Sequence, residues 1–371
     1  MNKTTEFVPL STDHNHRPIG FEVIQYDSGK PGPHVFMQAS VHGAELQGNM
    51  LIQVLMEKLE SENILTAGKI SLIPFANPWG TTELFGAGTY GRFDPITGKN
   101  WNRAYHYLYD EKLFNEFAEK KPANNECIDS FKQLQKRILR SKVDEAKDYG
   151  LPRANQLTYE LQLRSLEADI FLDLHTAPHA GLYLYAPDFL KEKACDLRYP
   201  INLIIPPEFA DAGDEAHFSP WEKLREHFAK EKKQFEIPIE SYTLELGGEE
   251  MVSRELAQKQ LEHILFYLDS RGVLKLENKA ELPKGVYQNL DQFKTFYAPF
   301  GGLCEYLAKP GQALKKDEVI AEISYYNHEE AKFNSVPITA KSPSIVVNHF
   351  STSNVQAGTE VYQVLENPLN Y

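Results

Sequence analysis

The sequence predicts an α/β fold: a mainly parallel mixed sheet flanked by helices, followed by a small C-terminal β-barrel-like domain. Three observations predict it. Between residues 34 and 77, two apolar runs of strand length enclose an amphipathic stretch of helix length. The runs within VFMQASVHGAE, DIFLDLH and SYTLELGG are rich in β-branched and aromatic residues, and each stops abruptly at a polar group or glycine. Beyond about residue 283 the text changes to short β runs punctuated by Gly, Pro and Asn.

The elements follow in order. Residues 20–27 (GFEVIQYD) and 34–41 (HVFMQASV) read as consecutive strands separated by the turn-forming DSGKPGP. From Glu45 to Leu59, Leu46, Met50, Leu51, Val54, Leu55 and Leu59 fall at helical spacing. KISLIPFAN is the next strand, ending at Asn77-Pro78, and the strand–helix–strand succession is the signature of a parallel sheet. Gly80 to Asn100 is a glycine-rich loop, long enough to read as functional rather than connecting. Residues 105–166 are charged and helical in pattern, a helical insertion or lid. DIFLDLH then resumes the sheet, GLYLYAP, INLIIP and SYTLELGG extend it, and a helix from about Ser253 to Arg271 leads to the end of a first domain, 1–282. The second domain, 283–371, contains KPGQALKKDEVIAEI, which resembles the strand–turn–strand text of biotinyl/lipoyl-like barrel-sandwich domains. No lysine motif such as MKM accompanies it, so that resemblance implies the scaffold and not a swinging arm.

Composition narrows the function. With 371 residues and 42% hydrophobic content, the chain can bury a sizeable core, and 12% aromatic residues argue against disorder. Its net charge of −13 argues against nucleic acid or an anionic membrane as partner, while leaving room for an acidic small molecule in a local arginine pocket. Cys127, Cys195 and Cys304 are widely spaced with no CxxC pair, which favours reduced thiols and a cytoplasmic protein. The N-terminal stretch has no signal-peptide core, and no run approaches a membrane span. Homo-oligomerisation stays open.

The three strand-ending phrases carry His42 with Glu45, then His175, then Glu245. Two imidazoles and one carboxylate make a three-ligand zinc site with its fourth position open, and a further carboxylate not bound to metal is the general base. In open α/β sheets the carboxyl ends of strands line the ligand crevice, so separate strands can deliver such groups to one place. His42-Gly43-Ala44-Glu45 also fits a helix-capping His with a first-turn Glu. The second buried strand ending on His175 argues against that plainer reading. Asp173 precedes His175 by two on the same strand face, where it either holds the imidazole tautomer or pairs with a neighbouring strand or loop. Asn102-Arg103 in NWNRAY suits a carboxylate, because guanidinium offers it a planar fork; pairing with surface acids is the competing role. Partial burial at a strand end would raise the pKa of Glu245 towards the range useful for proton transfer; a carboxylate facing solvent after the last strand is the competing role. Tyr90, Tyr183 and Tyr185 are candidate substrate contacts, although tyrosines in such a chain more often fill cores and rims.

HGAE, the Asn-Arg pair, DLH and the late ELGG, in that order, resemble the zinc carboxypeptidase superfamily, and within it the succinylglutamate desuccinylase/aspartoacylase branch. The resemblance covers about residues 20 to 275. It implies one zinc per chain on His42, Glu45 and His175, Glu245 as general base, and Asn102 and Arg103 on a substrate carboxylate. It also implies that Arg92, in YGRFD, stabilises the oxyanion. Where relatives often carry Asp two residues before the Asn, this chain has Asn100. The expectation is a zinc-dependent deacylase that cleaves the amide of an N-acyl amino acid or related small acidic molecule. A metallocarboxypeptidase acting on peptide C-termini and a non-catalytic binding protein on the same fold are the rivals; the second would need a missing ligand or base, and all four positions are filled.

Overall fold

The computed structural model describes residues 1–85, 89–146, 148–249 and 251–370, with backbone alone at 84, 85, 89 and 90. The chain opens with strands β1 (Asn2–Thr12), β2 (Pro18–Asp27) and β3 (His34–Ala39), then helix α1 (Gln47–Ser61) and strand β4 (Lys69–Ile73). Two-residue strands β5 (Leu84–Phe85) and β6 (Thr89–Tyr90) pair within the glycine-rich loop, whose residues 86–88 lie outside those described. Helices α2 (Glu111–Lys120), α3 (Ile128–Ala146) and α4 (Arg153–Ser165) occupy the charged stretch, of which residue 147 lies outside those described. Strands β7 (Ile170–Ala177), β8 (His179–Ala180) and β9 (Leu182–Pro187) lead through the short helix α5 (Lys191–Ala194) to β10 (Ile201–Ile205). Then come α6 (Gly213–Lys230), β11 (Glu240–Gly248) and α7 (Arg254–Ser270). The remainder is all strand: β12 (Val286–Asn289), β13 (Phe293–Tyr297), β14 (Gly302–Tyr306), β15 (Ala313–Leu314), β16 (Val319–Asn327), β17 (Lys332–Thr339), β18 (Ser344–His349), β19 (Asn354–Val355), β20 (Glu360–Glu366) and β21 (Leu369–Asn370).

The chain divides into two compact units. The first comprises Met1–His175, Pro207–Thr243 and Arg254–Lys279. Its strands run in the order β1-β2-β4-β3-β7-β11. The β1–β2 and β2–β4 pairs are antiparallel, while β3 pairs in parallel with both β4 and β7. Every residue of β3 and β7 is buried, which is why both read as continuous apolar runs rather than alternating ones. The helices flanking the sheet bury one face each; α1 contributes Leu51, Ile52, Val54, Leu55 and Leu59 and packs on α7. Between α4 and the sheet lies an apolar cluster that includes Phe36, Trp79, Trp101, Leu157, Leu161 and Phe171. This is a mixed α/β fold with a large sheet flanked by helices.

The second unit comprises Thr176–Pro206, Leu244–Ser253 and Ala280–Tyr371. Strands β9, β10, β12 and β21 form one ordered group. The C-terminal stretch makes two antiparallel sheets, β13-β20-β18-β15 with β8 added on β18, and β17-β16-β14-β19. They share a core of Cys304, Leu314, Ile320, Ile323, Val346, Val361 and Tyr362. Among the described residues, no helix is long and apolar enough to cross a membrane.

Strand β1 and helix α6 are among the elements that carry no expectation from sequence. In β1 nearly every residue is exposed, with Val8 alone buried, so neither a buried run nor a clean alternation marks it. Helix α6 holds Pro220 in its middle and begins without a capping side chain at Ala212. Its start is made instead by Glu215, whose carboxylate reaches back to the N–H groups of Ala210 and Ala212, at 2.7 and 3.0 Å.

Candidate active site

Strand β3 ends at Ala39, and Ser40 takes a left-handed φ of 61°, with its Oγ 2.5 Å from Asn49 Oδ1. That local cost breaks the strand sharply enough to swing His42 off the sheet. Gly43 donates its N–H to the Gly91 carbonyl at 2.9 Å, and a Cβ built on it would stand 1.7 Å from the Gly80 oxygen. Only glycine fits where these backbones meet, so HGAE is bound to the glycine-rich loop beside it. Glu45 lies two residues before α1, and β7 delivers Asp173 and His175 on alternate positions of one face.

The three predicted ligands converge. His42 Nδ1 lies 2.8 Å from Glu45 Oε1, and His175 Nδ1 lies 2.7 Å from Glu45 Oε2. Ligand atoms of all three fall within 4.8 Å of one another, and the residues are 4%, 1% and 3% exposed. Each imidazole turns its other nitrogen towards a polar group. His42 Nε2 meets Asn100 Oδ1 at 2.7 Å, whereas His175 Nε2 stands 3.2 Å from Asp173 Oδ2 and 3.3 Å from Asn102 Nδ2. Asp173 is itself fixed through Oδ1, which accepts from Gln38 Nε2 at 3.0 Å, and Gln38 donates also to the Tyr105 hydroxyl.

The electrostatics favour a cation at this point. Burial by itself would raise the pKa of Glu45, but the two imidazoles hold it well below the usual carboxylate range. Burial would lower that of His175, yet the Asp173 and Glu45 carboxylates push it well above its ordinary value. His42 is lowered, chiefly by burial. The donor set fits a divalent ion: two Nδ1 atoms and a carboxylate face one position. Asp173 Oδ2, buried and without a hydrogen bond of good geometry, faces His175 Nε2, where a proton would sit once Nδ1 is a ligand.

The remaining candidates are placed as follows. Arg92 is exposed and sets Nη1 2.9 Å from Glu45 Oε1. Arg103 is exposed, with Nη1 donating to the Asn102 carbonyl at 2.6 Å. Asn102 is buried, and its Oδ1 accepts the Gly213 N–H at the start of α6 at 3.1 Å. Glu245, on β11 in the second unit, is 9% exposed, and its charge adds to the burial that raises the Tyr183 and Tyr199 phenols. Tyr183 is buried with its ring 5.6 Å from that of Tyr185, while the side chain of Tyr90 lies outside the described residues.

Sequence reasoning missed a clamp beneath the loop. Arg153, the first residue of α4, forks onto Glu83 at 2.7 and 2.9 Å and sets Nε 2.6 Å from the fully buried Asp94. Its guanidinium also lies 5.7 and 5.5 Å from the stacked rings of Trp79 and Trp101. These contacts bracket Arg92 and Asn100 from both sides in sequence. A lone arginine in a charged helix gives no sign of them.

Comparison with known proteins decides the family. Residues 31–271, well over half of the chain, match the succinylglutamate desuccinylase/aspartoacylase catalytic domain. The chain belongs to the succinylglutamate desuccinylase/aspartoacylase family. A solved family protein from Shewanella frigidimarina NCIMB 400 is 31% identical over 99% of this chain and 98% of its own, with a TM-score of 0.92. Another, from Shewanella amazonensis SB2B, is 31% identical over the full length of both chains, with a TM-score of 0.90. The ectoine utilization protein EutE (DoeB) of Ruegeria pomeroyi shares the fold, at 16% identity and a TM-score of 0.66 over 98% of this chain and 95% of its own. No curated protein matches the chain. Succinylglutamate desuccinylase/aspartoacylase enzymes are deacylases and are zinc-dependent in general, and His42, Glu45 and His175 form a group able to hold such an ion.

Proposed function

We propose that this family member is a zinc-dependent amidohydrolase that removes the acyl group from an N-acyl amino acid or a related small acidic amide. The observation that carries the reading is the buried convergence of two imidazole Nδ1 atoms on the two oxygens of one carboxylate. Zinc held by His42, Glu45 and His175 would polarise the amide carbonyl and make water acidic enough to attack near neutral pH. Glu245 takes the proton from the attacking water and returns it to the departing amine. Arg92, a cation already beside Glu45, is the group for the oxyanion. Arg103 supplies an exposed fork for the substrate carboxylate. Asn102 joins that clamp by exchanging one of its present contacts, to His175 or Gly213, for the substrate. We read the two C-terminal sheets as a barrel-sandwich scaffold without carrier function, the protein as cytoplasmic, and nucleic acid and membranes as outside its partners.

Elemental analysis of protein purified without added metal tests the centre: about one zinc per chain, lost in His175→Ala, is expected. A screen of N-acyl amino acids then tests the reaction. Glu245→Gln should keep its zinc and fold while losing about 10²–10⁴ of its turnover, the usual worth of a general base. A chain that takes up no zinc even when offered it would refute the hydrolase reading. Full turnover in Glu245→Gln would remove Glu245 as base.

A further inference from the structure

Two asparagines of one short segment reach the two ligand imidazoles from behind. Asn100 Oδ1 meets His42 Nε2 at 2.7 Å, and Asn102 Nδ2 lies 3.3 Å from His175 Nε2. The orientation of the Asn100 amide is fixed by a second contact, since Oδ1 also accepts the Asn102 backbone N–H at 2.9 Å. A backbone N–H can only donate, so the Asn100 atom facing His42 is oxygen. His42 Nε2 therefore carries a ring proton, which leaves Nδ1, 2.8 Å from Glu45 Oε1, as the nitrogen that can turn a lone pair to a metal ion.

The two imidazoles are not matched. Behind His175 stands the fully buried carboxylate of Asp173, whereas behind His42 stands a neutral amide. A carboxylate acceptor raises the basicity of a ligating imidazole, and an amide does so less.

We propose that Asn100 is a positioning residue that locks His42 into the Nδ1-ligating tautomer while leaving it the weaker donor of the pair. The chain accordingly holds its metal less tightly than its scaffold permits. This rests on the zinc reading given above. A purely structural role for Asn100 also exists on the page, because its side chain caps the 3₁₀ turn Trp101–Arg103. Asn100→Asp keeps that cap and the side-chain shape, so it separates the two roles.

The test is zinc affinity of the full chain, by competition with a chromophoric chelator at fixed pH and salt, with thermal melting as the control for folding. Asn100→Asp should bind zinc about tenfold more tightly than the native chain, and Asn100→Ala about tenfold more weakly, the scale on which partners of metal-ligating histidines act. A folded Asn100→Asp protein with unchanged or weaker zinc affinity overturns the proposal and leaves the hydrolase reading intact. A native chain that binds no zinc overturns both.

Discussion

At the scale of single residues, the site is a set of charges placed where water is scarce. Glu45 stays ionised inside the fold because two imidazoles face it, and His175 sits between that carboxylate and Asp173. Arg92 and Arg103 carry the neighbouring positive charge, both exposed enough to meet a ligand. Arg103→Ala should therefore raise KM for acidic substrates by about 10–100-fold, the worth of one charge-assisted hydrogen bond, with kcat changed less. Steady-state kinetics checks it, and an unchanged KM would remove Arg103 from the clamp. His42 and His175 were legible in sequence because each follows an apolar strand run, and Glu45 because it stands three residues after His42. Asn100 was legible only as a departure from its relatives. Its bond to His42 spans 58 residues, which no local pattern encodes.

At the scale of elements, α4 holds the glycine-rich loop. Arg153 is 15% exposed at its side chain and satisfies two carboxylates, one of them fully buried, while lying against two indoles. Truncation to Arg153→Ala would leave the buried Asp94 carboxylate without its cation, held by the Thr97 hydroxyl and the Ile96 N–H, a loss of at most about 3–5 kcal/mol, the cost of removing one partner of a buried ion pair. Urea unfolding should show a loss of that size, and Arg153→Lys should recover only part of it, because an ammonium cannot fork or stack. KM should rise in both variants, since the loop between Glu83 and Trp101 bears Arg92 and Asn100. A drop in stability with unchanged KM would confine Arg153 to a role in folding. The long loop was identified from sequence by its length and glycine content, but its anchor was not. The anchor comes from a helix beginning more than 50 residues further along, and only the fold brings the two together.

At the scale of the whole molecule, several buried ionisable groups away from the ligands shape stability against pH. Burial lowers the pKa of His34 and His217 to about 3. The unfolded chain binds protons there below about pH 6.5 while the folded chain does not, so these groups weaken the fold as pH falls through that window. Asp214 works the other way. Burial, with the Glu215 and Asp173 charges, raises its pKa to about 7, so the folded chain binds its proton at a pH where the unfolded chain, with a pKa near ~3.9, does not. Its ionisation thus destabilises the fold as pH rises from about 4 to 7. Asp214→Asn should gain stability relative to the native chain across that range and hold a constant advantage above it. Urea midpoints measured from pH 4 to 8 on both proteins give the answer, and a constant difference at every pH would show that Asp214 ionises normally.

The sequence by itself determined the α/β class, the parallel centre of the sheet and the family, and it singled out His42, Glu45 and His175 as candidate metal ligands. Each of these is written locally, in the period of an apolar run or in a short motif at its end. Strand β1 and helix α6 were not so written, because one shows almost no buried face and the other begins at an alanine and contains a proline. Only the tertiary structure decided that His175 Nδ1 meets the Glu45 carboxylate, that Asn100 stands behind His42, and how Arg153 holds the loop. Those outcomes depend on contacts between residues 58 to 130 positions apart, made when β3, β7, α4 and the glycine-rich loop pack together, and chain-local chemistry does not specify such pairs.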